Sequence, residues 1–212
     1  VMAAHAVAWE VVTEAENFSL LEQPLPRLCA DRLDYFLRDG IVDVGTFTQD
    51  EGEALIQHLV MDRGQIVVDD VAIARWLGEH FIELDEVCWC STQEVGWYAV
   101  MAEALREAIA HQVISQADFM STDRQVMARL TEADVPEIHQ WLSLLRQEVD
   151  FARVSPEMAH DLVALPKVRA VDPPVMIHGE LQPLSKIDAA FAARRSDYIS
   201  SKEGQWHLRI LA

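Results

Sequence analysis

At 212 residues, half of them hydrophobic and with no Pro-, Gly- or Ser-rich linker, the chain is long enough to bury a core, and one domain over 1–212 is expected. Thirty-five acidic against 17 basic residues give a formal charge of −18, which argues against nucleic acid as a partner; a small phosphorylated metabolite stays open, because one cation and a few Arg overcome such a field locally. No apolar run reaches the roughly 18 residues of a membrane span, and an odd set of three Cys (29, 88 and 90) without framework spacing favours a cytoplasmic setting and no membrane partner.

In chain order, Val1 to Trp9 open inside an apolar helical pattern, with no N-cap Ser, Thr or Asp and no leader. Ala30 to Asp39 form a short amphipathic helix: at about 100° per residue, Asp34, Tyr35, Arg38 and Asp39 fall within about 80° of Asp31, while Leu33, Phe36 and Leu37 point the other way. An ordinary exposed face favours Lys and Glu over repeated Asp with Tyr and Arg, so this polar face reads as a site. Thr48 and Asp50 open a helix through Leu55, Ile56, Leu59 and Val60 that Gly64 closes. Asp69 starts a longer one towards about Glu86, and Ser91-Thr92-Gln93-Glu94 launches another to about Ala110. Thr122 to Gln125 is a second capping box, Asp134 and Pro136 begin the helix bearing Ile138, Trp141, Leu142 and Leu145, and Ser155-Pro156 begins a short helix ending before Pro166.

From Lys167 the texture changes. Val168 to Ile177 read as short strand pieces around Asp172-Pro173-Pro174, Ser185 to Asp188 cap a helix to about Lys202, and Gln205 to Leu211 is a strand expected to pair antiparallel with 168–177. The fold class expected is mainly α: a helical body over about 1–165 with a small antiparallel β extension over about 166–212.

Ala30-Asp31-Arg32-Leu33-Asp34-Tyr35-Phe36-Leu37-Arg38-Asp39 closely resembles the last motif of the HD superfamily of metal-dependent phosphohydrolases, particularly its deoxynucleotide triphosphohydrolase branch. The resemblance implies a partial HD-domain-like bundle. It makes Asp31 the final ligand of a divalent metal (Mg, Mn, Fe, Ni or Co) and a catalytic residue, and it places Arg32, Tyr35 and Asp39 towards the phosphates and sugar of a nucleotide, Arg32 sharing in catalysis. Cys29 stands where many relatives have Asp, so the pattern is met from Ala30 onward. Weaker echoes follow: Asp118-Phe119 with Asp123 look like later positions of the family, and Arg169 to Pro173 is similar to an Arg-x-x-Asp-Pro strand of some members.

An HD site also needs a first His and a His-Asp pair ahead of the late Asp, since imidazoles and carboxylates together complete the ligand set. Thirty residues precede Asp31, with one His, His5, and no His-Asp pair. The one His-Asp dipeptide, His160-Asp161, lies downstream and reads as chance in a chain with eight His. The economical expectation is a C-terminal part of an HD-type protein without its metal-binding front, inactive alone. Exposed apolar surface left by that front would then drive homo-oligomerisation, through the helix carrying Val7, Trp9 and Val11.

Other candidate sites carry less. Cys88-Trp89-Cys90 lacks the spacing and second ligand pair of a zinc or redox site, and burial beside Trp89 is favoured. The remaining His are scattered, and His5 reads as structural. Phosphate-loop, serine-hydrolase and zinc-finger motifs are absent. Two function classes survive: an HD-type hydrolase of a nucleotide or similar phosphoester, and a noncatalytic helical protein for assembly or small-ligand binding, in which Arg32 and Arg38 pair with Asp34 and Asp39.

Overall fold

Apolar spacing, capping side chains and positive-φ turns divide the chain into eight α-helices and seven strands among the residues that the computed structural model describes, which are 8, 12, 14, 18–145 and 149–211. Its contacts gather into two units, 1–89 with 168–203, and 90–167 with 204–212. The chain is mainly α with small, largely antiparallel sheets.

In the first unit, α1 (Ala30–Arg38) runs into a wider π-type turn, Asp39–Val44, that Gly45 ends at φ 71°. Helix α2 (Gln49–Gln57) starts at a reciprocal cap: Glu51 N–H donates to the Thr48 hydroxyl at 3.3 Å, and Thr48 N–H donates to the Glu51 carboxylate at 2.7 Å. Strands β1 (Leu59–Asp62) and β2 (Gln65–Val68) form a hairpin, and α3 (Val71–Leu84) follows, capped by Asp70. The later segment adds β5 (Pro174–Ile177), β6 (Glu180–Pro183), the single turn α7 (Leu184–Ile187) and α8 (Ala189–Lys202). The sheet order is β1-β2-β5-β6, with β2 and β5 parallel at Val68 and Val175 and the other pairs antiparallel. Phe36, Leu55, Leu77, Phe81, Val175 and Phe191 centre its core.

The second unit holds α4 (Thr92–Ala110), a short 3₁₀ turn at Gln116–Met120, α5 (Asp123–Glu132) and α6 (Pro136–Leu144). Strands β3 (Asp150–Val154), β4 (Leu162–Ala164) and β7 (Trp206–Leu211) form a sheet in the order β3-β7-β4. Ser91 accepts the Glu94 N–H at 3.1 Å at the start of α4, as its spacing predicts. The bare Gly96 makes room for the Phe151 ring, whose carbons would lie 2.3–2.6 Å from an added Cβ.

Several expectations are corrected. The helix opened at Thr48 stops at Gln57, and Leu59 and Val60 belong to β1; Arg63 and Gly64, at φ 48° and 76°, form the two-residue turn of a hairpin. The apolar spacing through residue 60 suits helix and strand alike, and the β-branched Val67 and Val68 decide it for pairing. No helix occupies 155–166: Ser155 begins a turn, and Leu162 to Ala164 pair with β7. Strand β7 pairs with β3 and β4, not with 168–177, whose β5 lies between β2 and β6. Strands therefore are not confined to the C-terminal stretch. The last helix is capped by Asp188, which accepts the N–H groups of Ala190 and Phe191, while 184–187 form a separate turn. His5 and the proposed dimer helix at Val7, Trp9 and Val11 lie outside the described residues.

Candidate functional site

Helix α1 is anchored by its apolar side. Leu33 and Phe36 are buried, and Phe36 stacks between Phe47 at 4.8 Å and Phe81 at 5.3 Å between ring centres. Packing on that side leaves Asp31, Asp34 and Arg38 exposed. Asp31 sits in the first turn and Arg38 in the last, each sign complementing its end of the helix dipole.

The four residues singled out on this helix have separate fates. Asp31 is exposed and takes no hydrogen bond on its carboxylate among the described residues. Arg32 is 7% exposed and turns into the preceding loop: Nη1 donates to the Arg27 carbonyl at 2.6 Å and to Cys29 Sγ at 3.2 Å, and Nη2 donates to the Gln23 carbonyl at 3.0 Å and Glu22 Oε1 at 3.2 Å. Tyr35 is half-buried, and burial pushes its hydroxyl above the usual tyrosine range against the opposing pull of Arg32 and Arg169. Asp39 is also half-buried; one oxygen accepts from Arg38 Nε at 2.9 Å and the other from the Trp89 indole N–H at 2.8 Å.

Trp89 joins Tyr35 to Asp39. The Tyr35 ring meets it edge-on at 4.8 Å between ring centres, and the Arg169 guanidinium lies 5.8 Å from the Trp89 ring centre. Trp89 ends a π-type turn, Asp85–Trp89, that continues α3 and carries Asp85 inside. Asp85 is fully buried; its Oδ2 accepts the Arg169 backbone N–H and the Tyr198 hydroxyl, both at 2.8 Å, while Arg169 Nη1 lies 3.7 Å from Oδ1. Among the described residues Oδ1 has no hydrogen bond. Burial pushes the Asp85 carboxyl up to about 6, with the Arg169 N–H, Tyr198 and the charges of Arg169 and Lys202 acting the other way.

The structure thus gathers Tyr35, Asp39, Trp89, Arg169 and Asp85 into one connected cluster, with Arg32 beside Tyr35 and Asp31 at the exposed start of the same helix. Sequence reading missed Asp85 and Tyr198 and gave Trp89 no part beyond burial beside Cys88 and Cys90. Arg169 stood inside the quoted Arg-x-x-Asp-Pro strand, but no local signal tied it to Trp89. A carboxylate directly after a buried apolar helix, in Phe81-Ile82-Glu83-Leu84-Asp85, is the trace that Asp85 left in the sequence.

The weaker echoes do local structural work. Asp118 accepts the Ser115 N–H at 2.7 Å, a bond that holds its carboxyl below the usual range, and pairs with Arg129 at 2.6 Å. Asp172 accepts the N–H and hydroxyl of Ser185 at 2.9 and 2.6 Å. In the His-Asp dipeptide, His160 Nδ1 lies 2.9 Å from the Met158 carbonyl and Asp161 accepts the Ile210 N–H at 2.8 Å. Cys29, Cys88 and Cys90 form no disulfide among the described residues.

As a test of the implied metal, Asp31 offers one exposed carboxylate, and no group of three or more His, Cys, Asp or Glu among the described residues is placed to hold an ion. Divalent metals need more fixed ligands than that, so the described residues do not by themselves fit the group. No helix among them is long and apolar enough to cross a membrane.

No protein-family profile matches the chain. It is similar to the metal-dependent phosphohydrolase cns2 of Cordyceps militaris, with 28% identity over 211 residues that cover 95% of this chain and 59% of that protein. It is also similar to the uncharacterized protein YdhJ of Bacillus subtilis, 28% identical over 168 residues, 79% of this chain and 51% of that one. The chain thus spans between half and three-fifths of the length of these curated relatives.

Proposed function

We propose that this chain is the C-terminal portion of an HD-type, metal-dependent phosphohydrolase acting on a nucleotide or similar phosphoester, and that it is inactive by itself. The observation carrying the proposal is the polar face of α1, where an exposed Asp31 begins a helix whose Tyr35 and Asp39 are fixed by Trp89. The likeness to the Cordyceps militaris phosphohydrolase over 95% of the chain supports the same reading. Asp31 would supply one ligand to a divalent metal whose other ligands come from an upstream segment, and such a metal would polarise a phosphoryl group and activate water. Tyr35 and Asp39 are assigned to the substrate: the Tyr35 hydroxyl stays protonated and offers a hydrogen bond, and Asp39 accepts one from a sugar hydroxyl. Arg32 in this conformation secures the 22–29 loop, so its contact with phosphate requires exchanging those partners.

The test joins this chain to an upstream segment bearing a His and a His-Asp pair, and follows phosphate release from a nucleotide panel. Asp31→Ala is expected to abolish turnover and metal together, whereas Tyr35→Phe and Asp39→Asn keep the metal and weaken substrate orientation. Loss of fold without a separable loss of activity at Asp31 overturns the assignment and leaves the noncatalytic reading, with the acids and Arg of α1 serving as ion pairs.

A further inference from the structure

We propose that the cleft between the loop before α1 and the β1–β2 turn is a binding site for a small organic anion, separate from the Tyr35–Asp39 face. The cleft encloses about 510 Å³ within the first unit, in the range of small-molecule sites. In a chain of charge −18, two of its 17 basic residues, Arg27 and Arg63, line it.

Two arginines face one acid in the lining. Asp172, also in the lining, gives both oxygens to Ser185 at 2.9 and 2.6 Å. Arg63 Nε lies 3.4 Å from Asp62, a loose pair that an incoming anion replaces, and Arg27 Nη1 donates at 3.2 Å to the neutral Gln23 side chain. Behind the wall, Arg32 donates to the carbonyls of Gln23 and Arg27, which fixes the loop.

The backbone gives an independent sign. Arg63 stands at φ 48° in a two-residue hairpin turn followed by Gly64 at φ 76°. A turn with both φ positive favours Asn, Asp or Gly at its first position, and a long side chain there is held against local preference. Arg63 lines the cleft, and that placement is the gain that offsets the strain. The rest of the wall is mixed: Pro26, Pro174 and Pro183 present flat, N–H-free surface beside Leu28 and Ile66, and Ser19, Gln23 and Gln65 add polar side chains. Together these features select a phosphate or carboxylate carried on a compact apolar or aromatic body.

The test is an NMR titration of the chain with phenyl phosphate, beside inorganic phosphate, benzoate and phenol. Saturable shifts are expected at the backbone amides of Gly64, Gln65 and Ile66, with phenyl phosphate bound more tightly than inorganic phosphate or phenol. Benzoate equal to phenyl phosphate assigns a carboxylate ligand, and weaker benzoate assigns a phosphate. Arg63→Asn keeps a residue suited to the turn, so it should leave Tm unchanged or raised and weaken binding by about tenfold or more. Arg27→Gln should weaken it similarly. Shifts absent from those amides, phenol as tight as phenyl phosphate, or full affinity in both variants overturns the site. None of these readouts involves metal or turnover, so their failure leaves the proposed hydrolase function untouched.

Discussion

Two carboxylate environments within the first unit are opposite in kind. On α1, Asp31 and Asp34 stand in water at the rim of a helix whose packing is complete without them. At the end of α3, Asp85 is sealed from solvent and held by a backbone N–H and a tyrosine hydroxyl. The first environment is free for an external ligand and adds little to folding. The second is committed to the fold, and through Arg169 and Trp89 it underlies the Tyr35–Asp39 pair. Charge at the proposed site is therefore separable from charge that builds it.

The sharpest way to break that comparison is Asp85→Ala. It takes the Asp85 acceptor away from the Tyr198 hydroxyl and the Arg169 backbone N–H, two hydrogen bonds of the interior at about 1–3 kcal/mol each, so a loss of about 2–6 kcal/mol in urea unfolding is expected. A loss near zero would show that Asp85 is not part of the framework.

Asp85→Asn sharpens the same point through pH. Burial pushes the folded carboxyl up to about 6 from an ordinary Asp value near 3.8, so the native state binds more protons between those values. The contribution of Asp85 is then fully present below about pH 4 and is lost as pH rises through 6. The stability deficit of Asp85→Asn relative to the parent should shrink between pH 4 and pH 7, by on the order of 2–3 kcal/mol. The lowered carboxyls at Asp70, Asp118 and Asp188 run the other way, losing their contribution as pH falls, and they cancel in this difference.

Smaller effects follow nearer the surface. Gly96→Ala drives a Cβ into the Phe151 ring of the second unit and should cost about 1–3 kcal/mol in the same unfolding assay. Trp89→Phe removes the indole N–H from Asp39 while keeping an aromatic against Tyr35; about 1–2 kcal/mol is expected. Arg38→Ala removes an exposed guanidinium from its pairs with the exposed Asp34 at 3.6 Å and the half-buried Asp39 at 2.9 Å, whose other oxygen keeps the Trp89 N–H, and should shift Tm little. A large drop there would mean that the α1 face is structural.

What the sequence shows of this molecule follows the range of the forces involved. Helix starts at Thr48, Ser91 and Thr122 were legible because the capping partner stands three residues away. The two faces of α1 were legible for the same reason, since Leu33 and Phe36 set its burial from within the helix. The fate of Arg32 was not, because its partners are carbonyls of a loop whose path no periodicity reports. Nor was the pairing of β7 with β3 and β4, a choice among strands up to 61 positions apart in Asp150↔Leu211. Asp85 and Arg169, 84 residues apart, meet only once the chain has returned to the first unit. Of the candidate site, the side chains on one helix could be read, and the cluster that fixes them could not.

The central claim is that Asp31 supplies a ligand to a metal completed by residues of an upstream segment. Manganese content, measured on this chain joined to a segment bearing a His and a His-Asp pair, tests it directly. Bound metal that disappears in Asp31→Ala at unchanged melting temperature is the predicted result, since the side chain is exposed and engages nothing else that is described. Metal retained in full by Asp31→Ala would contradict it.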